Sequence, residues 1–155
     1  MRTTRTVWGG AGAALALAAG LVVVGPAGSA AATAADCANG ANGFVDISDD
    51  LSGRVARSVD MGHGRTLTLQ YGSVNGAERG WAKLGGSTQN GDLVWMDWTN
   101  DGGRTWLQCG PFAADRGAGR SKTSAAKTTS SAATYKFRAC ARLTSPDVGR
   151  CTTWW

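Results

Sequence analysis

The sequence predicts a small all-β protein, a disulfide-bonded antiparallel β-sandwich, and three observations carry that prediction. Arg65-Thr66-Leu67-Thr68-Leu69-Gln70-Tyr71 alternates strictly, with Leu67, Leu69 and Tyr71 on one face and Thr66, Thr68 and Gln70 on the other, so this strand has one buried side and one wet side. Short apolar runs are separated by frequent turn signals, and glycine contributes 23 of the 155 residues. After residue 35 no segment shows a 3.6-residue apolar period, so nothing reads as an amphipathic helix.

Residues 1–35 read as a secretory signal peptide. Arg2 and Arg5 form a short cationic start, residues 7–25 carry no charge, and Ala32-Thr33-Ala34 offers a small-residue cleavage site near Ala35 or Asp36. A retained anchor is the competing reading, because the apolar stretch would just reach across a bilayer; Gly9, Gly10, Gly12, Gly20 and Gly25 dilute it. Residues 36–155 then form a single domain, too short for a propeller or an (α/β) barrel.

Within that domain the first strand covers residues 44–47, and Asp49, Asp50, Ser52 and Gly53 make a turn. Strands follow at 55–59, 65–71, 81–84, 93–99 and 105–109, with turns at 85–92 and 100–103. Residues 113–131 are polar and poor in large apolar side chains, and read as one long exposed loop. Its cations Arg116, Arg120, Lys122 and Lys127, against Asp115 alone, make it a candidate electrostatic tether to anionic wall polymers. Residues 135–141 and 151–155 close the domain as a hairpin. The run Tyr135-Lys136-Phe137-Arg138-Ala139-Cys140-Ala141 resembles the late strand of a fibronectin type III-like sandwich. An immunoglobulin-like sandwich is the related form, although Tyr135 stands five residues before Cys140 rather than the two of a tyrosine corner.

Four cysteines, Cys37, Cys109, Cys140 and Cys151, all follow the leader, and an even count in an exported chain predicts two disulfides. Four cysteines allow three pairings; the preferred one joins Cys140 with Cys151, clipping the last hairpin, which leaves Cys37 with Cys109. Their spacing is too wide for zinc pairs and His63 is the only histidine, so no metal and no cofactor are expected.

The formal charge of +5 includes Arg2 and Arg5, and the remaining surplus does not call for a specific nucleic-acid partner. Every Ser-His-acid scheme would need His63, which lies in the turn Met61-Gly62-His63-Gly64, and no G-x-S-x-G elbow is present. Asp46, Asp49, Asp50, Asp60, Glu78, Asp92, Asp97, Asp101, Asp115 and Asp147 supply carboxylates without a glycosidase signature, and read as turn and surface groups. The glycine-rich stretches lack the strand-to-helix setting of a phosphate loop. The expectation is a protein that is not an enzyme.

Thr99-Asn100-Asp101-Gly102-Gly103-Arg104-Thr105-Trp106 resembles the Asp-box hairpin. The resemblance implies a structural turn: Thr99 and Asp101 organise it, with the Asp101 carboxylate accepting turn amides, and Gly103 takes a positive φ. Sialidases repeat this box around a propeller, whereas this chain has one copy. A wider set of segments, Gly80-Trp81-Ala82-Lys83, Val94-Trp95-Met96-Asp97-Trp98, Cys109-Gly110-Pro111-Phe112, Phe137-Arg138-Ala139-Cys140 and Cys151-Thr152-Thr153-Trp154-Trp155, resembles small secreted actinobacterial proteins and segments of exported glycoside hydrolases. That resemblance implies export and a β-sandwich, and no established activity.

Trp81, Trp95, Trp98, Trp106, Trp154 and Trp155 are hard to bury together in one small sandwich, so at least one or two should be exposed. With Cys140 facing Cys151, antiparallel register sets Arg138 opposite Thr153 and Lys136 opposite Trp155; Trp155 is then an exposed indole beside cations, and Tyr135, Phe137, Ala139 and Trp154 face the core. Around residues 100–103 a similar count pairs Asp97 with Trp106 and Trp95 with Gln108, opposite a core face of Val94, Met96, Trp98 and Leu107. Trp95, Asp97, Trp106, Gln108, Lys136, Arg138 and Trp155 are therefore the candidate ligand-binding residues. Indoles stack on sugar faces while neighbouring polar groups fix hydroxyls. The functional expectation is a secreted, extracellular, non-catalytic module for a glycan or cell-wall polymer. The alternative is a secreted protein-binding or inhibitory module; neither involves a membrane once the leader is removed.

Overall fold

The computed structural model describes residues 33–155, so the leader expected over residues 1–35 lies, up to residue 32, outside the described residues. Short 3₁₀ segments, Ala34–Asp36 and Ala38–Gly43, precede ten strands: β1 (Phe44–Val45), β2 (Arg54–Gly62), β3 (Arg65–Val74), β4 (Ala77–Gly86), β5 (Leu93–Thr99), β6 (Leu107–Ala113), β7 (Lys122–Thr123), β8 (Ala126–Thr128), β9 (Lys136–Thr144) and β10 (Asp147–Cys151). They form two antiparallel sheets, one in the order β1-β8-β4-β3-β2 with β7 also on β4, the other in the order β10-β9-β5-β6. The disulfide-bonded all-β sandwich is the architecture observed. Among the described residues no helix is long and apolar enough to cross a membrane.

Strands β2 to β4 are a meander closed by two-residue turns. His63 and Gly64 have φ of 54° and 71°, Asn75 and Gly76 have 51° and 77°, and two consecutive positive φ values match the right-handed twist of the flanking strands. Asn75-Gly76 explains why β3 and β4 run well past the expected ends at Tyr71 and Trp81. The alternation of β3 survives in three dimensions: Leu67 and Leu69 are buried between the sheets, with Ala82 and Leu84 from β4, Val94 and Met96 from β5, and Phe137, Ala139, Ala141 and Leu143 from β9. Each large side chain sealed in this way contributes about 1.5–3 kcal/mol.

Two features depart from the expected pattern. Trp81 is buried, yet it alternates with the core residues Ala82 and Leu84 and so lies on the far face of its sheet. There it packs beside Gly53, where a Cβ would stand 2.6 Å from the indole Cη2. The strap leading to Gly53 is pinned by Lys83, whose Nζ donates to the Leu51 carbonyl at 2.6 Å, and by the Gly53 amide donating to Gln70 Oε1 at 2.9 Å.

The second departure corrects the long exposed loop expected at 113–131. β7 and β8 lie within it, and Thr123, Ser124, Ala125, Ala126 and Lys127 are all buried. β8 fills the place between β4 and β1, where small side chains permit close packing without any alternation to announce it. Its cations also lie against the body of the domain instead of on an extended loop. Arg116 and Arg120 reach Asp50, Lys122 reaches Asp49 and Asp115, and Lys127 sits 4.2 Å from the Trp98 ring centre while donating to the Asn42 carbonyl.

Both disulfides join the expected partners. Cys37–Cys109 ties the N-terminal 3₁₀ turns to β6, and Cys140–Cys151 links directly opposed residues of β9 and β10 with Cα atoms 4.0 Å apart. Asp92 and Asp97 are not surface carboxylates as expected; both are buried. Asp92 pairs with the equally buried Arg65 at 2.9 Å and accepts the Thr144 and Gln89 amides, which joins β3, the turn before β5 and the end of β9.

Candidate functional site

The outer face of the β10-β9-β5-β6 sheet gathers most of the predicted site. Alternation sends Val94 and Met96 into the core and Trp95 and Asp97 outward, and on β9 it sends Phe137 and Ala139 inward and Arg138 outward. Register completes the group. Asp97 stands opposite Arg138 on β9 and opposite Gln108 on β6, and Trp95 stands opposite Cys140.

The register of β5 with β6 differs from the expectation by two residues. Asp97 pairs with Gln108 rather than Trp106, and Trp95 has no direct β6 partner because a bulge lies between Val94 and Met96. A two-residue displacement preserves the faces, since side chains alternate with period two. Trp95, Asp97 and Gln108 therefore still share a side, and Val94, Met96, Trp98 and Leu107 still face or pack against the core.

The turn after β5 explains the displacement. Thr99 Oγ1 donates to Asp101 Oδ1 at 2.7 Å and accepts the Gly103 amide at 3.1 Å. Asp101 in turn accepts the Arg104 amide at 2.9 Å, the Thr105 amide at 3.0 Å and the Thr105 hydroxyl at 2.7 Å. Bonds from the Thr105 backbone and hydroxyl, helped by Thr99, hold the Asp101 carboxyl far below its ordinary value. Gly102 and Gly103 have φ of 81° and 99°, so the chain makes a wide, internally bonded turn instead of a tight one. Thr99, Asp101 and Gly103 thus supply the bonds and the positive φ that hold this turn.

At the end of this turn Trp106 is 51% exposed. Its ring lies 6.3 Å from that of Trp154 at 62°, an edge-to-face arrangement, and Gly103 lies under the Trp154 indole. The Arg138 guanidinium carbon is 5.2 Å from the Trp106 ring centre and 4.6 Å from that of Trp154. Behind it, Arg138 Nε and Nη2 both donate to Asp97 Oδ2, at 3.0 and 2.5 Å. Burial pushes the Asp97 carboxyl up from its ordinary value, and the Arg138 and Trp95 side chains oppose the shift. Asp97 is 2% exposed, so it cannot touch a ligand as expected; it orients Arg138.

Trp155 is the clear correction. It does not stand among the cations of the outer face but packs inward, with ring centres 4.8 Å from Tyr71 and 6.4 Å from Phe137. Trp154 takes the outer position instead of the core one. Cys151 pairs with Cys140, and the Thr152 amide donates to the Ala139 carbonyl, but Trp155 then exchanges both backbone bonds with Phe137. Two residues, Thr153 and Trp154, therefore oppose the single Arg138. Such a bulge inserts one residue and sends every later side chain to the other face. The Thr152 hydroxyl accepts the Ala139 amide at 3.1 Å within this bulge. Lys136 stands opposite Thr99 at the margin of the face, and Gln108 donates to the Gly110 carbonyl.

The face thus contains Trp95, Trp106, Trp154, Arg138 and Gln108 over a buried Asp97. It can offer an indole surface and a guanidinium edge to a ligand. His63 is exposed in the β2–β3 turn, far in sequence and on a different sheet from these groups. Comparison with protein-family models, with curated proteins and with solved structures found no match to this chain.

Proposed function

We propose that this protein is a secreted, non-catalytic binding module for a glycan or cell-wall polymer. The observation that carries the reading is Trp106, which leaves half its surface in water beside Trp154 and an arginine already oriented from behind. Exposing that much indole forgoes roughly 1–2 kcal/mol of burial. The flat apolar face of a sugar ring recovers it by stacking, while Arg138 and Gln108 supply hydrogen-bond donors at the edge. The Asp-box resemblance accords with this role, the turn serving as the scaffold that presents the indole. Export is supported by the leader-like residues 1–35 and by two disulfides, which persist in oxidising compartments.

A secreted protein-binding or inhibitory role is the second reading, favoured by the same pair of residue types, since tryptophan and arginine are enriched at the centres of protein interfaces. Retention on insoluble polysaccharides and isolated cell walls separates the two. The parent should be retained, and Trp106→Ala should lose about ten-fold in affinity while unfolding within a few degrees of the parent. A parent that passes through every matrix, or a folded Trp106→Ala variant that is retained equally, refutes the glycan reading.

A further inference from the structure

We infer that the ligand of this face is an anionic saccharide, one whose carboxylate or phosphate group seats on Arg138 while its ring stacks on Trp106; the inference rests on the glycan reading above. Arg138 donates to Asp97 from Nε and Nη2 only, and its Nη1 makes no hydrogen bond among the described residues. Its side chain remains 24% exposed. One edge of the fork is therefore anchored and the other is presented to solvent between two indoles, a geometry suited to a carboxylate or phosphate oxygen.

The distribution of charge over the domain points the same way. Arg54, Arg116, Arg120 and Arg142 are each paired with a carboxylate at the surface, Lys122 with the half-buried Asp49, and Arg65 in the interior. Arg57, Arg79, Lys83 and Lys127 donate to backbone carbonyls. Three cations have neither kind of partner among the described residues: Arg104, Lys136 and Arg150. Two of these three flank the indole site. Arg104 belongs to the turn two residues before Trp106, and Lys136 precedes Arg138 by two on β9, hence on the same face. Arg150 adjoins Cys151 and alternates to the other side of β10.

The acids nearby offset part of this charge, Asp97 that of Arg138 and Asp101 that of the adjacent Arg104, but neither turns its bonded oxygens to a ligand: Asp97 is buried against Arg138, and both oxygens of Asp101 accept bonds within its own turn. A neutral glycan would use the indoles and offer the free guanidinium edge and the two flanking cations hydroxyl acceptors but no counter-charge. An anionic one uses all of them.

Affinity electrophoresis tests the inference with five probes: polygalacturonate, a phosphomannan, neutral dextran, a neutral cellulose derivative, and polyglutamate as a polyanion without sugar. The parent should be retarded by polygalacturonate, by phosphomannan or by both, more strongly than by neutral polymers or polyglutamate, with retardation falling as salt rises. Which of the two anionic polymers prevails identifies carboxylate or phosphate. Arg138→Gln should weaken that retardation about ten-fold, the scale of one charge-assisted hydrogen bond. Because Arg138 also contacts a buried carboxylate, the exposed double variant Arg104→Gln/Lys136→Gln serves as the second probe and should weaken it about two- to five-fold. Equal retardation by neutral glycans, or no loss in the double variant, overturns the anionic assignment while leaving the glycan reading intact. Stronger retardation by polyglutamate than by either anionic polysaccharide overturns it as well, and no retardation by any saccharide overturns both.

Discussion

Replacing Arg138 by Met tests whether Asp97 is held ionised by its partner. The Asp97 side chain is 2% exposed, and both hydrogen bonds it accepts from Arg138 fall on Oδ2. Met keeps most of the aliphatic stem but removes the guanidinium that lies against Trp106 and Trp154, and leaves a carboxylate without a counter-charge in the sheet surface. Breaking such a pair costs about 3–5 kcal/mol, most of it the uncompensated charge. The loss should therefore depend on pH, with a definite sign. Burial already raises Asp97 in the parent, so the native state binds this proton more tightly than the unfolded chain does, and Arg138 limits the rise. Without Arg138 the folded-state value climbs further. In acid, where both proteins carry a protonated Asp97, the deficit should be small. It should grow by up to about 1.4 kcal/mol per pH unit from the folded-state value of the parent to that of the variant, then level off. Urea unfolding followed by tryptophan fluorescence between about pH 4 and pH 8 measures this directly. The double variant Asp97→Leu/Arg138→Met should recover most of the loss and show little of the pH dependence. An equal deficit at both ends of the pH range, or a double variant no more stable than Arg138→Met, would refute the account.

Two further predictions concern packing and chain constraint. Gly53→Ala should destabilise by about 1–3 kcal/mol, because its Cβ would meet the Tyr71 carbonyl oxygen at 2.5 Å and Trp81 at 2.6 Å, whereas Gly85→Ala, with open space around it, should be neutral or stabilise by about 0.4–1 kcal/mol; equal urea midpoints for the two variants would contradict the proposed seat of Trp81. Removing Cys140–Cys151 by paired alanines should cost about 2–3 kcal/mol, and removing Cys37–Cys109 about 4 kcal/mol, because the sequence separations are 11 and 72 and a longer closed loop constrains the unfolded chain more. Denaturant titrations of the two paired variants give both figures, and the reverse ranking would show that native-state effects outweigh loop length.

Much of the candidate face was legible because a strand has a two-residue period that does not depend on its partners. Trp95, Asp97 and Arg138 alternate with core residues in the sequence itself, so their common side survived even a two-residue error in pairing Asp97. Trp155 shows the limit. Counting from Cys151 places it on the outer face, and one bulge at Thr153 and Trp154 reverses that, a backbone event with no residue type that announces it. Trp154 entered the site for the same reason.

The sequence by itself determined what rests on local rules: the strand alternation of residues 65–71, the Thr99–Trp106 turn with its bonded Asp101, and the all-β class; of three possible cysteine pairings it favoured one, which the tertiary structure then decided. Tertiary structure alone decided the rest. Polar, small-residue segments such as 122–128 have no periodicity from which burial can be read, and become part of a sheet only because β4 and β1 leave a place between them. Asp92 and Asp97 look like any surface carboxylate in the chain, and are buried because Arg65 and Arg138, distant in sequence, arrive to offset the loss of water. The exposure of Trp106 likewise depends on where its wide turn ends relative to Trp154 and Arg138, a relation among three separate chain segments that no local pattern encodes.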